Sequence, residues 1–309
     1  MKLKIGIDFD NTLISYDGIF HQLARSYGWV SKAFPASKER IRARLVKEDG
    51  NDLRWQKLQT QAYGNRILEA RPFAGGLAFI RRALDNGHEV HIISHKSEVS
   101  HYDSTVRLRD WARRWLKQHK LLSKGPGSAG WLAHGNVHFT QTRDEKIRAI
   151  KQLDLDVFVD DLRCVLEHPG FPSKTQRILF APEQKELTGG PWTHARSWDE
   201  VAQRAECLEQ AGPRAHQALQ QTFASPPAEV RCAGKGGNNR VLKADLKNGK
   251  TALLKRYLVD QADRRARAKT EYWALSLLWE NGIRSIARPH YLDEKHEFAI
   301  FSWLDGRPM

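Results

Sequence analysis

The chain has 309 residues and a formal net charge of +14, with 40% hydrophobic and 28% charged residues. That length suggests two domains, each with a core of ordinary size, and the composition is that of a soluble globular protein. No apolar run approaches the roughly 18 residues of a membrane span. Cys164, Cys207 and Cys232 are too scattered for a disulfide framework or a zinc site. The first strand begins at residue 3, which leaves no room for a signal peptide, so a cytoplasmic location is the expectation. The positive charge, concentrated in residues 32–71 and 231–269, suits small anionic ligands, leaves a nucleic-acid partner open, and also serves plain solubility.

The chain opens on Lys2-Leu3-Lys4-Ile5-Gly6-Ile7, an apolar run that reads as a buried strand of a parallel sheet. Asp8 and Asp10 follow at its end, then Asn11 and Thr12. In open α/β sheets, ligands bind beyond the carboxyl ends of the strands. Two carboxylates there need a cation or a shared proton, whereas in an Asx-type turn both would simply be solvated.

Residues 14–71 do not read as a crossover helix and loop. Residues 21–25, 41–46 and 53–68 form three amphipathic segments, with Gly28, Pro35 and Gly50 between them. This is a helical insertion of roughly 55 residues, placed to cap the pocket. The α/β rhythm then resumes with a helix over 75–86 and a second strand over 88–94, ending in Ser94. A long helix over 104–122 carries Trp111, Trp115 and Leu116 as core residues, and a glycine-rich loop over 124–130 follows. A weak third strand spans 137–139, a helix 144–153, and a fourth strand 155–159 ends in Asp160-Asp161. A fifth strand spans 176–180 and a helix 197–210. Strands alternating with helices imply an α/β fold with a doubly wound parallel sheet over residues 1–210.

Residues 211–229, rich in Gln, Ala and Pro, read as a linker. Beyond them, strands over 240–246 and 251–257 are joined by Asn248-Gly249 as a hairpin turn. A helix over 263–281 and strands over 289–292 and 298–303 complete a smaller antiparallel α+β unit, residues 230–309.

Asp8, Asp10, Ser94, Lys146, Asp160 and Asp161 therefore gather at strand ends or early in a helix. Phosphoryl transfer through an aspartyl-phosphate uses this inventory: a carboxylate nucleophile, a second carboxyl as acid and base, hard oxygen ligands for Mg²⁺, and a hydroxyl and an ammonium on the phosphoryl oxygens. Asp8-Phe9-Asp10-Asn11-Thr12-Leu13 resembles the first motif of the haloacid dehalogenase-like (HAD) superfamily. Ser94, Lys146 and Asp160-Asp161 resemble its second, third and fourth motifs, in the family's order over residues 1–205, with the insertion where its small helical caps sit.

The resemblance implies a Rossmann-like Mg²⁺-dependent phosphatase with Asp8 as nucleophile and Asp10 as general acid and base. Metal would be held by Asp8, the backbone carbonyl of Asp10, and one of Asp160 or Asp161, the other acting through water or by orienting Lys146. Ser94 and Lys146 would bind phosphate, with Asn11, Thr12 and His95 near the substrate. Lys96 and Arg143 are rivals of Lys146 within reach, and Lys96 better suits a substrate contact. The implied partner is a small phosphorylated substrate, while a phosphorylated polynucleotide end stays open as the alternative.

In the second unit, Gly234-Lys235-Gly236-Gly237-Asn238-Asn239 links two predicted strands, Lys255 lies on the next strand and Glu271 on the following helix. A glycine loop with a lysine held by a helical glutamate is how kinases position ATP phosphates. Residues 230–309 resemble the amino-terminal lobe of aminoglycoside phosphotransferase-like and choline kinase-like enzymes. The resemblance implies a weak ATP site at Gly236, Gly237, Asn239, Lys255 and Glu271. The catalytic-loop and metal-holding residues of such a kinase have no counterpart here. The lobe reads either as part of a longer bifunctional phosphatase and kinase-like protein or as a relic domain. In both cases the expectation is no phosphoryl transfer to an acceptor by this chain alone, and association or poor solubility through the uncovered apolar surface of the lobe.

Overall fold

In a computed structural model of the chain, residues 2–122, 132–185, 187, 189–236, 239–257 and 266–305 are described. They divide into two compact units, Lys2–Ala202 and Gln203–Met309. The expected glycine-rich loop over 124–130 lies outside the described residues. Among them, no helix is long and apolar enough to cross a membrane.

The first unit runs β1 (Lys4–Ile7), β2 (Ile14–Ser15), α1 (Asp17–Ser26), α2 (Lys38–Asp49), α3 (Leu53–Tyr63), β3 (Arg71–Pro72), α4 (Gly76–Asp85), β4 (Glu89–His95) and α5 (Leu108–Gln118). It continues with β5 (Val137–Thr140), α6 (Arg143–Gln152), β6 (Val157–Asp160), α7 (Arg163–Leu166), β7 (Gln176–Phe180), β8 (Thr193–Ala195) and α8 (Trp198–Ala211), whose last turns belong to the second unit. The large sheet has the order β5-β4-β1-β6-β7-β8, and all of its pairings are parallel. β8, three residues long, was not legible in the sequence.

β1 is central, with β4 on one side and β6 on the other, so strand order changes direction there. Burial on both faces explains its unbroken apolar run: Ile5 and Ile7 on one face and Gly6 on the other are all buried. Gly6 permits the close packing of this strand, because a Cβ at that position would lie 2.4 Å from Leu155 Cδ1 and 2.6 Å from Phe158 Cδ2. The helix expected over 104–122 is shorter, Leu108–Gln118; its Trp115 and Leu116 are core residues as expected, whereas Trp111 is only partly buried, with the Arg114 guanidinium over its ring.

The insertion is rooted on the β2–β3 pairing, Ile14 opposite Pro72 and Ser15 opposite Arg71. Between these strands, α1, α2 and α3 pack on one another through Phe20, Ile41, Leu45, Trp55 and Leu58. Ser37 caps α2 by accepting from the Arg40 amide at 3.3 Å, and Gly50 ends it at φ 64°, a left-handed conformation that favours glycine.

The second unit corrects the expected linker. Residues 211–229 hold helix α9 (Pro213–Phe223) and the start of strand β9 (Pro227–Gly236). Ala215, Ala218 and Leu219 of α9 are buried in one cluster with Val230, Leu242, Leu254 and Ile300. The small residues that made the segment look like a linker let this helix lie close to the sheet. β10 (Asn239–Leu246), β11 (Thr251–Tyr257), α10 (Arg267–Glu280), β12 (Pro289–Asp293) and β13 (Phe298–Ser302) complete the unit. Its antiparallel sheet has the order β12-β13-β11-β10-β9. On α10, Trp273 and Leu277 are more than half exposed.

His216 of α9 is buried, and its Nδ1 makes no hydrogen bond to a described residue. Burial alone pushes its pKa down to about 4. The unfolded chain therefore binds a proton below about pH 6.5 that the folded chain refuses, and stability falls with pH in that window. Equilibrium denaturation of the full chain should show a loss of about 2 kcal/mol from this group between about pH 7.5 and pH 5, absent in His216→Gln.

Candidate active site

The carboxyl ends of β1, β4 and β6 lie side by side and bring together residues far apart in sequence. The Asp8 amide donates to the Val159 carbonyl at 2.9 Å, which fastens the residue after β1 to the end of β6. The Lys146 ammonium lies between two carboxylates, 2.6 Å from Asp8 Oδ1 and 2.6 Å from Asp160 Oδ2. All three side chains are buried. Lys146 reaches this point from the first turns of α6, where Thr142 caps the helix by accepting from the Glu145 amide at 3.2 Å. The other Asp160 oxygen accepts from the Leu162 amide at 2.8 Å.

Burial pushes the Asp8 carboxyl up to about 7 against the pull of Lys146, and the charges of Asp160 and Asp10 push the same way. Burial, then Asp8 and Asp160, hold Asp161 well above the usual carboxylate range. Burial disfavours the Lys146 charge, but Asp160 and Asp8 outweigh it and raise its pKa. The site thus crowds negative charge beyond what one ammonium neutralises. Asp8, Asp160 and Asp161 each offer an oxygen within 4.8 Å of the others, a group that could hold a metal ion. Three carboxylates crowded into a buried site fit a hard divalent cation, which would supply the missing positive charge.

Asp10 stands apart from that cluster. Both of its oxygens accept from Lys96, at 2.9 and 2.8 Å, and Oδ1 also accepts from the Tyr16 hydroxyl at 2.5 Å. Lys96, expected to meet substrate, is buried and sits over the rings of Tyr63 and Phe9, 4.8 and 5.5 Å from their centroids. Neither the Lys96 nor the Tyr16 contact was legible in the sequence. The only signal was a lysine two residues past Ser94.

A cavity of about 340 Å³ opens over these residues, lined by Asp8, Asp10, Asn11, Ser94, His95, Lys96, Lys146 and Asp161. Asn11 has φ 59°, a left-handed conformation that asparagine tolerates, and so makes the turn out of β1. Thr12 does not line the cavity: it is fully buried and its hydroxyl donates to Asp161 Oδ1 at 3.3 Å. The His95 ring lies against the Gln141 carbonyl at 2.7 Å, exposed at the rim. The insertion supplies Lys38, Gln56, Gln59 and Tyr63, so it contributes a wall as expected of a cap. Burial opposes the Lys38 charge, yet Tyr63, Asp10 and Asp161 outweigh it and raise its pKa.

In the second unit, Lys255 donates to both Glu271 oxygens at 2.7 Å, joining β11 to α10 as the sequence suggested. Asn239 pairs opposite Gly236 across β10 and β9, while Gly237 lies outside the described residues.

No family model matches the sequence, and no curated protein matches it. Solved structures match over different parts of the chain. L-2-haloacid dehalogenase from Xanthobacter autotrophicus is 11% identical, over 67% of this chain and 99% of that one, with a TM-score of 0.40. A haloacid dehalogenase-like hydrolase from Xanthomonas campestris is 12% identical over 69% and 94%, with a TM-score of 0.39. A candidate fructosamine-3-kinase from Thermobifida fusca is 19% identical over 30% of this chain, with a TM-score of 0.24, and the chain spans 32% of that protein's length. At these scores the likenesses carry no chemistry, and the function rests on the residues.

Removing Lys146 should expose the repulsion it relieves. Lys146→Met leaves Asp8 and Asp160 buried without their cation, a change that costs about 3–5 kcal/mol in comparable sites. The Asp8 carboxyl, already raised by burial, then rises further in the folded state, so the loss grows with pH. Chemical denaturation of the variant should show a larger deficit at about pH 8 than at about pH 5.

Proposed function

We propose that the first unit is a Mg²⁺-dependent phosphomonoesterase that works through an aspartyl-phosphate intermediate. The observation that carries this reading is the buried Asp8–Lys146–Asp160 arrangement at the ends of β1 and β6, with Asp161 beside it. The order of the motifs along the chain, which resembles that of HAD phosphatases, supports the same reading. Asp8, Asp160 and Asp161 would hold the metal, which when bound neutralises charge between the incoming phosphate and the carboxylates.

The chain's own residues supply the remaining chemistry. An Asp8 oxygen attacks phosphorus, a bond forms between them, and the bond to the leaving oxygen breaks. Asp10, in its protonated form and turned from Lys96 and Tyr16, gives that oxygen its proton, releasing an alcohol. Asp10 then takes a proton from water as the water oxygen attacks the aspartyl-phosphate, which frees inorganic phosphate and restores Asp8. Lys146 keeps Asp8 oriented, and the Ser94 hydroxyl, buried at the end of β4 and on the cavity lining, binds a phosphoryl oxygen. Lys96 and Tyr16 hold Asp10 in its rest position.

Asp8→Asn should reduce hydrolysis of p-nitrophenyl phosphate by at least about 10⁴-fold while circular dichroism and thermal melting show an intact fold. EDTA should stop the wild-type protein, and Mg²⁺ should restore it. Turnover retained in Asp8→Asn would overturn the mechanism.

We further propose that the second unit is a kinase-like lobe of a bifunctional protein. The Lys255–Glu271 pair supports a residual site for ATP phosphates. Among the described residues of this unit, no group of three carboxylates or histidines is placed to hold a metal ion. Calorimetry on the full chain should therefore find weak ATP binding that Mg²⁺ hardly changes and that Lys255→Met removes. Tight, Mg²⁺-dependent binding would contradict this reading.

A further inference from the structure

The cap wall of the cavity has a chemistry that the phosphoryl-transfer step leaves unused. Gln56, Gln59 and Tyr63 stand at i, i+3 and i+7 of α3, so they form one stripe of the helix, and all three line the cavity. Trp55, Leu58 and Ala62 are buried on its other faces. The side-chain amides of Gln56 and Gln59 make no hydrogen bond to any described residue. Gln61 on the same helix, outside the cavity, donates its amide to the Tyr27 hydroxyl at 2.6 Å. The helix therefore places two open amides and a phenol on the wall of the cavity that Asp8 also lines.

We propose that the site selects phosphate monoesters of small polyhydroxylated alcohols, and that Gln56, Gln59 and Tyr63 are its specificity-determining residues. The inference rests on the phosphomonoesterase reading. A primary amide offers two donors and an acceptor, and a hydroxyl also both donates and accepts, so adjacent hydroxyls satisfy these groups pairwise. A hydrocarbon leaving group would cover the amides without bonding them, an arrangement that binding sites discriminate against strongly. The volume of about 340 Å³ lies at the small end of the ligand-site range of roughly 300–1,000 Å³, which suits a sugar-sized group and not a polymer end.

The test uses the full chain with Mg²⁺ and compares kcat/KM for propyl phosphate, glycerol phosphate, a hexose phosphate and a 5′-phosphorylated oligonucleotide. The value should rise along the first three, by about 100-fold from propyl to hexose phosphate, with the oligonucleotide far below the hexose phosphate. Gln56→Leu and Gln59→Leu should each lower the hexose-to-propyl ratio about tenfold. A ratio measured within one protein is independent of how much of a variant is folded. Equal rates for propyl and hexose phosphate, an unchanged ratio in both variants, or preference for the oligonucleotide would overturn the inference while leaving a phosphatase. Turnover of none of the esters, nor of p-nitrophenyl phosphate, would overturn the phosphomonoesterase reading and this inference with it.

Discussion

One buried ammonium between two buried carboxylates organises the candidate site of this protein. Lys146 lies 2.6 Å from both Asp8 and Asp160, in a place where an unpaired charge is very costly. The constraint reaches outward into the fold. β1 and β6 must be neighbours, α6 must begin where its lysine reaches back to them, and the amide of Asp8 must be tied to Val159. One lysine does not neutralise Asp8, Asp160 and Asp161 together, and the raised pKa values of Asp8 and Asp161 express the remainder. The residual negative charge makes the site receptive to a divalent cation.

A second ion pair separates the roles of the two aspartates of the first motif. Asp10 lies two residues beyond Asp8, but its oxygens are held by Lys96 and Tyr16 instead of the carboxylate cluster. Tyr16 directly follows β2, one of the two short strands that root the insertion. The acid and base of the proposed reaction is therefore held beside the segment that carries the cap. The cap in turn supplies Lys38, Gln56, Gln59 and Tyr63 to the cavity, so reaction and selection are assigned to different parts of one unit.

The second unit is built on other principles. Its five antiparallel strands bury alternate residues against α9, and the small side chains Ala215 and Ala218 let that helix approach closely. Lys255 and Glu271 pair across β11 and α10 with side chains 18% and 36% exposed, so solvent screens part of their attraction. Their geometry is better explained by what a lysine at that position can touch than by what the pair contributes to folding.

The sequence by itself determined the parallel α/β order of the first unit, the antiparallel character of the second, and the motif positions Asp8, Asp10, Ser94, Lys146, Asp160 and Asp161. Those features are written in local periodicity: a strand buried on both faces is continuously apolar, and a polar residue that ends such a run is conspicuous. The helix at Pro213–Phe223 was hidden because alanine and glutamine carry little hydrophobic contrast, although they form helices readily. β8, three residues long, is too short for any period to show. Only the tertiary structure decided that Lys96 meets Asp10, that Thr12 holds Asp161, and that Gln56 and Gln59 face the cavity. Each of these contacts joins segments brought together by strand order and by the docking of the cap, and long-range packing of that kind leaves no periodic trace in the chain.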